Sequence, residues 1–202
     1  MTLVDSIAVK CLGRVEYLPT LEAMRSFTFH RNDSAQDELW LLEHPPVYTL
    51  GQGAEHRRIG NGIPLVKADR GGDITYHGPG QLVVYTLVDL ARRGIKVKQF
   101  VTLLEQAVID LLGGRGERRP GAPGVYVDGA KVAALGIRVR QGRAYHGLSL
   151  NVDMDLSPFH AIDPCGYPGL AVTQLRHLGI PGTVDSVGDR VASILVERIE
   201  NA

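Results

Sequence analysis

The stretch from Arg70 to Tyr85, RGGDITYHGPGQLVVY, constrains the fold most, because it sets four glycines directly before an apolar run. Glycine is placed where the backbone needs a positive φ or must approach another group closely. The polar residues Asp73, Thr75, His77 and others lie between these glycines, and LVVYTLV follows as a buried-looking strand. The pattern predicts a pocket wall lined by main chain. A glycine-rich hairpin with a structural histidine is the plainer alternative.

Composition excludes several classes of protein. The 202 residues predict one domain of ordinary globular composition, with 44% hydrophobic and 22% charged residues. Basic and acidic residues are equal at 22 each, so no overall field attracts nucleic acid or a membrane. The opening segment MTLVDSIAVKCLG has no long apolar core, and two distant cysteines fit a reducing compartment. We therefore expect a cytoplasmic protein, with nothing requiring more than a monomer.

Hydrophobic spacing predicts strands and helices that do not alternate strictly. Extended segments are expected at 4–12, 38–43, 47–50, 64–68 and after residue 80, and helices at 20–30, 97–112, 171–178 and 184–200. Asp128-Gly129 and Gln141-Gly142-Arg143 are turn signals that join the later strands into an antiparallel meander. Strands grouped in hairpins with helices inserted between them indicate an α+β domain with a mixed sheet.

Motifs of several other chemistries are missing from the sequence. It contains no GxxxxGK[ST] phosphate loop, no GxGxxG between a strand and a helix, and no HExxH. The scattered histidines offer no metal-binding set, so neither a cofactor nor a metal is expected. Basic clusters at Arg57-Arg58, Arg92-Arg93 and 115–119 are expected to be solvated loops. Docking of an acidic carrier protein on them is the alternative.

Three side chains are candidates for chemistry. Cys165 lies between proline and glycine in IDPCGYPG, which leaves its thiol uncovered, whereas Cys11 belongs to an ordinary apolar strand and is expected to be buried. Lys131 opens the strand KVAALGIRV and is either a surface residue or a placed amine. A nearby ammonium favours a thiolate, and a lysine among apolar residues loses its proton more easily. His77 is either structural or a pocket residue that orients substrate.

The motif Arg-Gly-Gly, two residues, Thr-Tyr-His, two residues, Gly-Gln, one residue, Val, one residue, Tyr resembles the signature of the octanoyltransferases of lipoate biosynthesis. HPPVYTLG, KVAALGIRV, HGLSLNV and the Pro164-Cys165-Gly166 loop follow the same family order, so the resemblance covers nearly the whole chain. It implies the fold of biotin and lipoate protein ligases, which is class II synthetase-like, with a mixed sheet flanked by helices.

The resemblance also implies an activity and a site. The family moves an octanoyl group from acyl carrier protein to a lysine of a lipoyl domain, with Cys165 as the nucleophile and Lys131 as its partner. Ser149 stands where alanine is more usual, which leaves a main-chain role intact. The implied acyl-binding residues are Arg70, Gly71, Gly72, Asp73, Ile74, Thr75, Tyr76, His77, Ala134, Leu135, Gly136, Gly147, Leu148 and Ser149.

Three rival functions remain open at the level of sequence. An ATP-dependent lipoate or biotin protein ligase would share the fold but have no need of Cys165. A cysteine hydrolase would release octanoate rapidly in the absence of an acceptor. A non-catalytic protein that binds acyl carrier protein would show binding without turnover, with Cys165 and Lys131 incidental.

Overall fold

The computed structural model describes residues 6–54, 59–162 and 169–202, which form two β-sheets and their flanking helices. The strands are β1 (Ala8–Arg14), β2 (Glu38–Glu43), β3 (Val47–Leu50), β4 (Leu65–Lys67), β5 (Ile74–His77), β6 (Gln81–Asp89), β7 (Gly124–Val127), β8 (Ala130–Arg140) and β9 (Arg143–Asn151). The α-helices are α1 (Tyr17–His30), α2 (Leu90–Arg93), α3 (Val97–Leu111) and α4 (Val184–Glu200), and a 3₁₀ helix spans Ser157–Ala161.

The larger sheet has six strands in the order β1-β2-β6-β9-β8-β7. Only the β1–β2 pair is parallel, while the other four pairs are antiparallel. The smaller sheet has the order β4-β3-β5 and pairs β3 parallel with β4 and antiparallel with β5. These mixed sheets and the antiparallel meander β7-β8-β9 confirm the predicted α+β class.

The six-stranded sheet divides the interior into two layers. Helices α3 and α4 cover one face, and their apolar side chains join β6, β8 and β9 in the main core. Four apolar residues at helical spacing along α3, Phe100, Leu104, Ala107 and Leu111, are all buried. Helix α1 covers part of the other face. The functional cleft described below opens on that second face.

The helix predictions were right for three of four segments. Helix α4 has the predicted bounds and begins with a capping box between Thr183 and Ser186. Helix α1 begins three residues earlier than predicted, with Pro19 in its first turn. The helix predicted at 171–178 was wrong, because Lys131 N donates to the Ala171 carbonyl and Thr173 N donates to the Lys131 carbonyl, and these bonds hold the segment against β8 before it turns.

Two expectations about single side chains were also wrong. Cys11 is exposed rather than buried, because β1 is the edge strand of the larger sheet. Arg93 is not a solvated loop residue. Its guanidinium and that of Arg31 bind Asp37, which is fully buried. A carboxylate with several guanidinium partners stays charged in the interior, so this cluster fastens α1 and α2 to the sheet.

Candidate active site

The glycine loop of residues 70–73 forms one wall of a cleft. The buried guanidinium of Arg70 donates to the Thr49 carbonyl at 2.6 Å and to the Thr49 hydroxyl at 2.8 Å. Main-chain bonds then join the loop to both of its neighbours, from Gly53 N to Gly72 O and from Gly71 N to Ile137 O, each 3.0 Å long. Arg70 therefore holds the loop in place, between β3 and β8.

The floor of the cleft consists of matched rows across three strands. Ala134 of β8 pairs with Ser149 of β9, and Gly136 pairs with Gly147. A Cβ on Gly147 would lie 2.1 Å from the Val84 carbonyl oxygen, and one on Gly136 would lie 2.9 Å from that of Gly71. Only glycine permits these approaches. At Gly136 and Gly147 the floor is therefore formed by main-chain atoms, and no side chain can project from these two positions into the cleft.

Leu135 and Leu148 alternate with these floor residues along their strands. Successive side chains of a strand point to opposite faces, and both leucines pack in the core beneath α3 and α4. They border the cleft in spite of this packing. We conclude that their contribution to the cleft is main chain.

Aromatic and imidazole rings close one end of the cleft. This aromatic end is lined by Tyr17, His77, Tyr85 and His146. His44 lies behind it, with its Nδ1 donating to the Val15 carbonyl at 2.7 Å and its Nε2 accepting from the Tyr85 hydroxyl at 2.7 Å. The carbonyl can only accept, so these two bonds select one neutral tautomer of His44.

Burial keeps the imidazoles of this end uncharged. Loss of solvation lowers the pKa of His44 to about 4 and that of His77 to about 3, with His44 itself adding to the effect on His77. Burial likewise raises the pKa of Tyr17 to about 12. The aromatic end is therefore neutral near pH 7.

His146 is held by the carboxylate of Asp69, which also binds side chains of α1 and β9. Its Nε2 donates to Asp69 at 2.8 Å, and Asp69 also accepts from Tyr145 at 2.6 Å and from Arg25 at 3.2 Å. These donors lower the pKa of Asp69 against the effect of its partial burial, whereas burial lowers the pKa of His146. His146 has a φ of +60°, uncommon for a residue with a side chain. The Thr86 hydroxyl binds its carbonyl at 3.0 Å.

The cleft continues along β8 and β9 to a buried amine. This lysine end is lined by Lys131, Gln81, Asn151, Phe159 and Val172, and it shares Thr75, Ala134 and Ser149 with the rest of the cleft. Lys131 is only 3% exposed. Its Nζ donates to the Pro123 carbonyl at 3.2 Å and lies 5.1 Å from the centroid of the Tyr126 ring. The placed-amine interpretation of Lys131 is thus the one that fits its position.

A chain of hydrogen bonds connects the two ends. Nδ1 of His77 donates to the side-chain oxygen of Gln81 at 2.7 Å, and Gln81 donates to Asn151 at 2.9 Å. Asn151 donates to the Thr173 carbonyl at 2.9 Å, and Thr173 N donates to the Lys131 carbonyl at 2.9 Å. His77 therefore orients Gln81 and the strand that carries Lys131.

The structure brings together most of the residues that the resemblance implies. Twelve of the fourteen line one cleft, namely Arg70, Gly72, Asp73, Ile74, Thr75, His77, Ala134, Leu135, Gly136, Gly147, Leu148 and Ser149. Gly71 is not among the lining residues, and Tyr76 packs with Tyr48 and Phe159 beside the smaller sheet. Cys165 lies outside the described residues. The roles of the fourteen residues in binding acyl groups stay predictions.

Sequence reasoning missed part of the aromatic end. Tyr17 comes from α1, far from the glycine loop in sequence, and no local pattern marks it. His44 is the first residue of HPPVYTLG, and Tyr85 is the last residue of the stretch from Arg70 to Tyr85. Both segments carried the resemblance. The membership of His44 and Tyr85 in those segments was the available signal.

The described residues contain neither a metal-binding cluster nor a membrane-spanning helix. No group of three or more His, Cys, Asp or Glu side chains among them is arranged to hold a metal ion. No helix within the described ranges is long and apolar enough to cross a membrane.

Comparison with known proteins gives the class of this site. The family model of the lipoyl protein ligase A/B catalytic domain matches residues 16–195. A crystal structure of lipoate-protein ligase A bound with ATP superimposes with a TM-score of 0.77 at 14% identity, covering 96% of this chain and 85% of that one. The chain belongs to the lipoyl protein ligase A/B catalytic domain family, and it has the fold of that ligase.

Closer relatives are more specific. A protein of Aromatoleum aromaticum named octanoyltransferase is 60% identical over 195 residues, which covers 94% of this chain and 84% of the relative. An octanoyltransferase of Dechloromonas aromatica is 57% identical over 197 residues, covering 95% and 96% of the two chains.

Proposed function

We propose that this protein transfers an octanoyl group from acyl carrier protein to a lysine of a lipoyl domain. The observation that carries the proposal is the pair of adjoining cavities that share Thr75, Ala134 and Ser149, one with a neutral aromatic end and the other with the buried amine of Lys131. The octanoyltransferase relatives support the same reaction. We further propose that the protein acts as a monomer in the cytoplasm.

The floor of the cleft is longer than an extended octanoyl chain. It extends along β8 from Lys131 to Gly136, which at about 3.4 Å per residue is roughly 17 Å. An extended chain of eight carbons has seven bonds and spans about 9 Å. The chain therefore fits along the main-chain floor, with its carbonyl near Lys131 and its methyl end toward the aromatic residues.

The proposed reaction has two steps. The Cys165 thiolate attacks the thioester carbonyl of the donor, the carbon–sulfur bond to the carrier breaks, and the carrier's sulfur leaves as a thiolate. The amine of the target lysine then attacks the acyl-enzyme thioester, the Cys165 sulfur leaves, and Lys131 accepts the proton of the attacking nitrogen. Dividing the transfer in this way replaces one difficult step by two easier ones. No cofactor is needed, because the thioester is already an activated acyl donor.

The surroundings of Lys131 support a role for Cys165. Phe159 and Val172 line the lysine end, and these residues lie six before and seven after Cys165 in sequence. Lys131 N donates to the Ala171 carbonyl at 2.8 Å. The segments on both sides of the Cys165 loop therefore lie beside the amine, and this favours the transferase over a ligase, which has no need of this thiol.

The test is intact mass spectrometry after mixing the protein with octanoyl-acyl carrier protein. We expect one octanoyl adduct, which disappears in Cys165→Ala, persists in Cys11→Ala and is discharged by a lipoyl domain. Cys11 is the matched control because its thiol is exposed. Lys131→Met should retain the fold and slow transfer to the lipoyl domain about 10²- to 10⁴-fold.

Other outcomes would identify the rivals. An adduct that survives in Cys165→Ala would overturn the assignment of the nucleophile. Modification of the lipoyl domain only with ATP and free octanoate would indicate a ligase. Rapid octanoate release without an acceptor would indicate a hydrolase, and binding without any turnover would indicate a carrier-binding protein.

A further inference from the structure

A second groove opens beside the lysine end. It is lined by Arg119, Pro120, Ala122, Tyr126, Gly129, Gly169, Leu170 and Ala171. Tyr126 belongs to both neighbourhoods, since its ring also lies under the Lys131 amine. Ala171 connects them as well, because its carbonyl accepts from Lys131 N. The groove therefore adjoins the lysine end through Tyr126 and Ala171, and it shares no lining residue with the acyl cleft.

Arg119 is fixed at the lip of this groove although it is exposed. Its guanidinium carbon lies 4.3 Å from the centroid of the Tyr126 ring, and its Nη2 donates to the Gly129 carbonyl at 3.0 Å. The Tyr126 hydroxyl is itself bound to the Ala122 carbonyl at 3.0 Å, so the ring under the guanidinium is fixed. A preorganised side chain loses little entropy when it binds a ligand.

The neighbouring Arg118 differs from Arg119 because it is paired with a carboxylate. Its Nε pairs with the carboxylate of Glu105 at 3.2 Å. Within the described parts of the chain, Arg119 has no carboxylate partner, and its one hydrogen bond is to main chain. Guanidinium groups carry five N–H donors, so Arg119 keeps donors available for a ligand in the groove.

Distance indicates which part of a carrier-bound donor reaches Arg119. The centroid of Tyr126 is 4.3 Å from the guanidinium carbon of Arg119 and 5.1 Å from the Lys131 amine, so the two cations are no farther apart than these distances combined. In a pantetheine arm the carbonyl of the outer amide is eight bonds from the thioester sulfur, about 10 Å when extended. The phosphate is thirteen bonds away, about 16 Å, and lies beyond Arg119.

We propose that this groove binds the pantetheine arm of the acyl donor, with Arg119 donating to the carbonyl of its outer amide. The inference rests on the proposed function, because it places the thioester next to Lys131. It adds a recognition site for the donor that is separate from the acyl cleft. The groove's small residues, Gly129 and Gly169, leave space for an unbranched arm, and Leu170 and Pro120 contact its methylene groups.

The test compares two small donors that differ only in the length of the arm. Octanoyl-N-acetylcysteamine has only the inner amide, and octanoyl-pantetheine has both amides and no phosphate. Arg119→Ala should lower the kcat/KM of enzyme acylation roughly tenfold for octanoyl-pantetheine, and leave octanoyl-N-acetylcysteamine within about twofold of the wild type. Arg115→Ala is the matched control, since Arg115 is an exposed arginine of the same loop that binds Leu178.

The outcomes separate this proposal from the proposed function. If wild-type protein is acylated by both donors and Arg119→Ala slows both equally or neither, the arm-binding groove is refuted while the transferase stands. If Arg115→Ala reproduces the selective loss, the effect is one of general charge and the assignment to Arg119 fails. If no thioester acylates the wild type, the proposed function itself fails.

Discussion

The two ends of the cleft are built in different ways. At the aromatic end, buried rings are oriented by bonds between side chains, as between Tyr85 and His44. At the lysine end, Lys131 is positioned by main chain, through Pro123, Ala171 and Thr173. The first arrangement keeps the imidazoles of His44 and His77 uncharged, whereas the second confines a single buried amine between main-chain segments. One cleft thus keeps its imidazoles uncharged at one end and fixes the position of a buried amine at the other.

The largest expected change is in the rate of transfer to the lipoyl domain, when the main-chain packing around Lys131 is disturbed. Gly124 has a φ of +147°, and a Cβ there would lie 2.7 Å from the Ala133 carbonyl oxygen and 2.9 Å from Cε of Lys131. Gly124→Ala should therefore displace the amine and lower the rate of transfer to the lipoyl domain about 100-fold, because misplacement by about 1 Å is costly in catalysis. The measurement is single-turnover discharge of the acylated enzyme.

Gly114→Ala is the control for the loss of a glycine at positive φ. Gly114 has a φ of +83°, and a Cβ there would meet nothing within 4 Å. This variant should be less stable but should discharge its octanoyl group at the wild-type rate. Equal rates in the two variants would mean that packing against Gly124 does not position Lys131.

The aromatic end predicts a loss of stability in mild acid. The ordinary pKa of histidine is 6.5, and burial lowers it to about 4 in His44 and about 3 in His77. Below pH 6.5 both histidines become protonated in the unfolded chain but stay neutral in the folded protein. The free energy of unfolding therefore decreases as pH falls toward 4. Both histidines together should cost about 2–4 kcal/mol between pH 7 and 5.

Urea denaturation at pH 7, 6 and 5 measures this loss. The lowered pKa of Asp69 contributes stability that is lost only as pH falls below the ordinary value of 3.8, so the chosen window isolates the histidines. His77→Gln should be less steep in this range than the wild type, whatever its absolute stability. A free energy of unfolding that stays constant from pH 7 to 5 would show that these imidazoles take up protons in the folded protein as readily as in the unfolded chain, and so do not have lowered pKa values.

The sequence was sufficient for the glycine loop and much of the floor, but not for the relation between the two ends. Local patterns identified Asp128-Gly129 as a turn and the stretch after Gln81 as a strand, because turn chemistry and hydrophobic alternation act over a few residues. The pairing of Gly136 with Gly147, and the contact of both with main chain of other segments, depend on register across β8, β9 and β6. No local pattern encodes that register.

The errors at residues 171–178 and at Arg92-Arg93 have the same origin. Residues 171–178 have the apolar spacing of a helix, yet bonding to Lys131 across the sheet keeps the first of them extended. Arg92 and Arg93 look like a solvated pair until the fold brings them to Asp37. Tertiary contacts overrode local preference in both cases, and the same long-range contacts brought Tyr17 to the aromatic end.

The smallest expected change is in the free energy of unfolding, on removal of either of two tyrosine hydroxyls at the aromatic end. Tyr85 donates to His44 at 2.7 Å, whereas the buried hydroxyl of Tyr17 has no hydrogen-bond partner among the described residues. Tyr85→Phe leaves a buried imidazole nitrogen unpaired and should lower the free energy of unfolding by about 1–2 kcal/mol. Tyr17→Phe removes a polar group that gains nothing from folding, so it should change stability by less than about 1 kcal/mol, in the stabilising direction. Thermal and urea unfolding of both variants at pH 7 give the comparison.

A Tyr17→Phe protein less stable than Tyr85→Phe would contradict this prediction. It would show that the Tyr17 hydroxyl is bound in the folded protein. The aromatic end would then be held by one more hydrogen bond than the present geometry gives it.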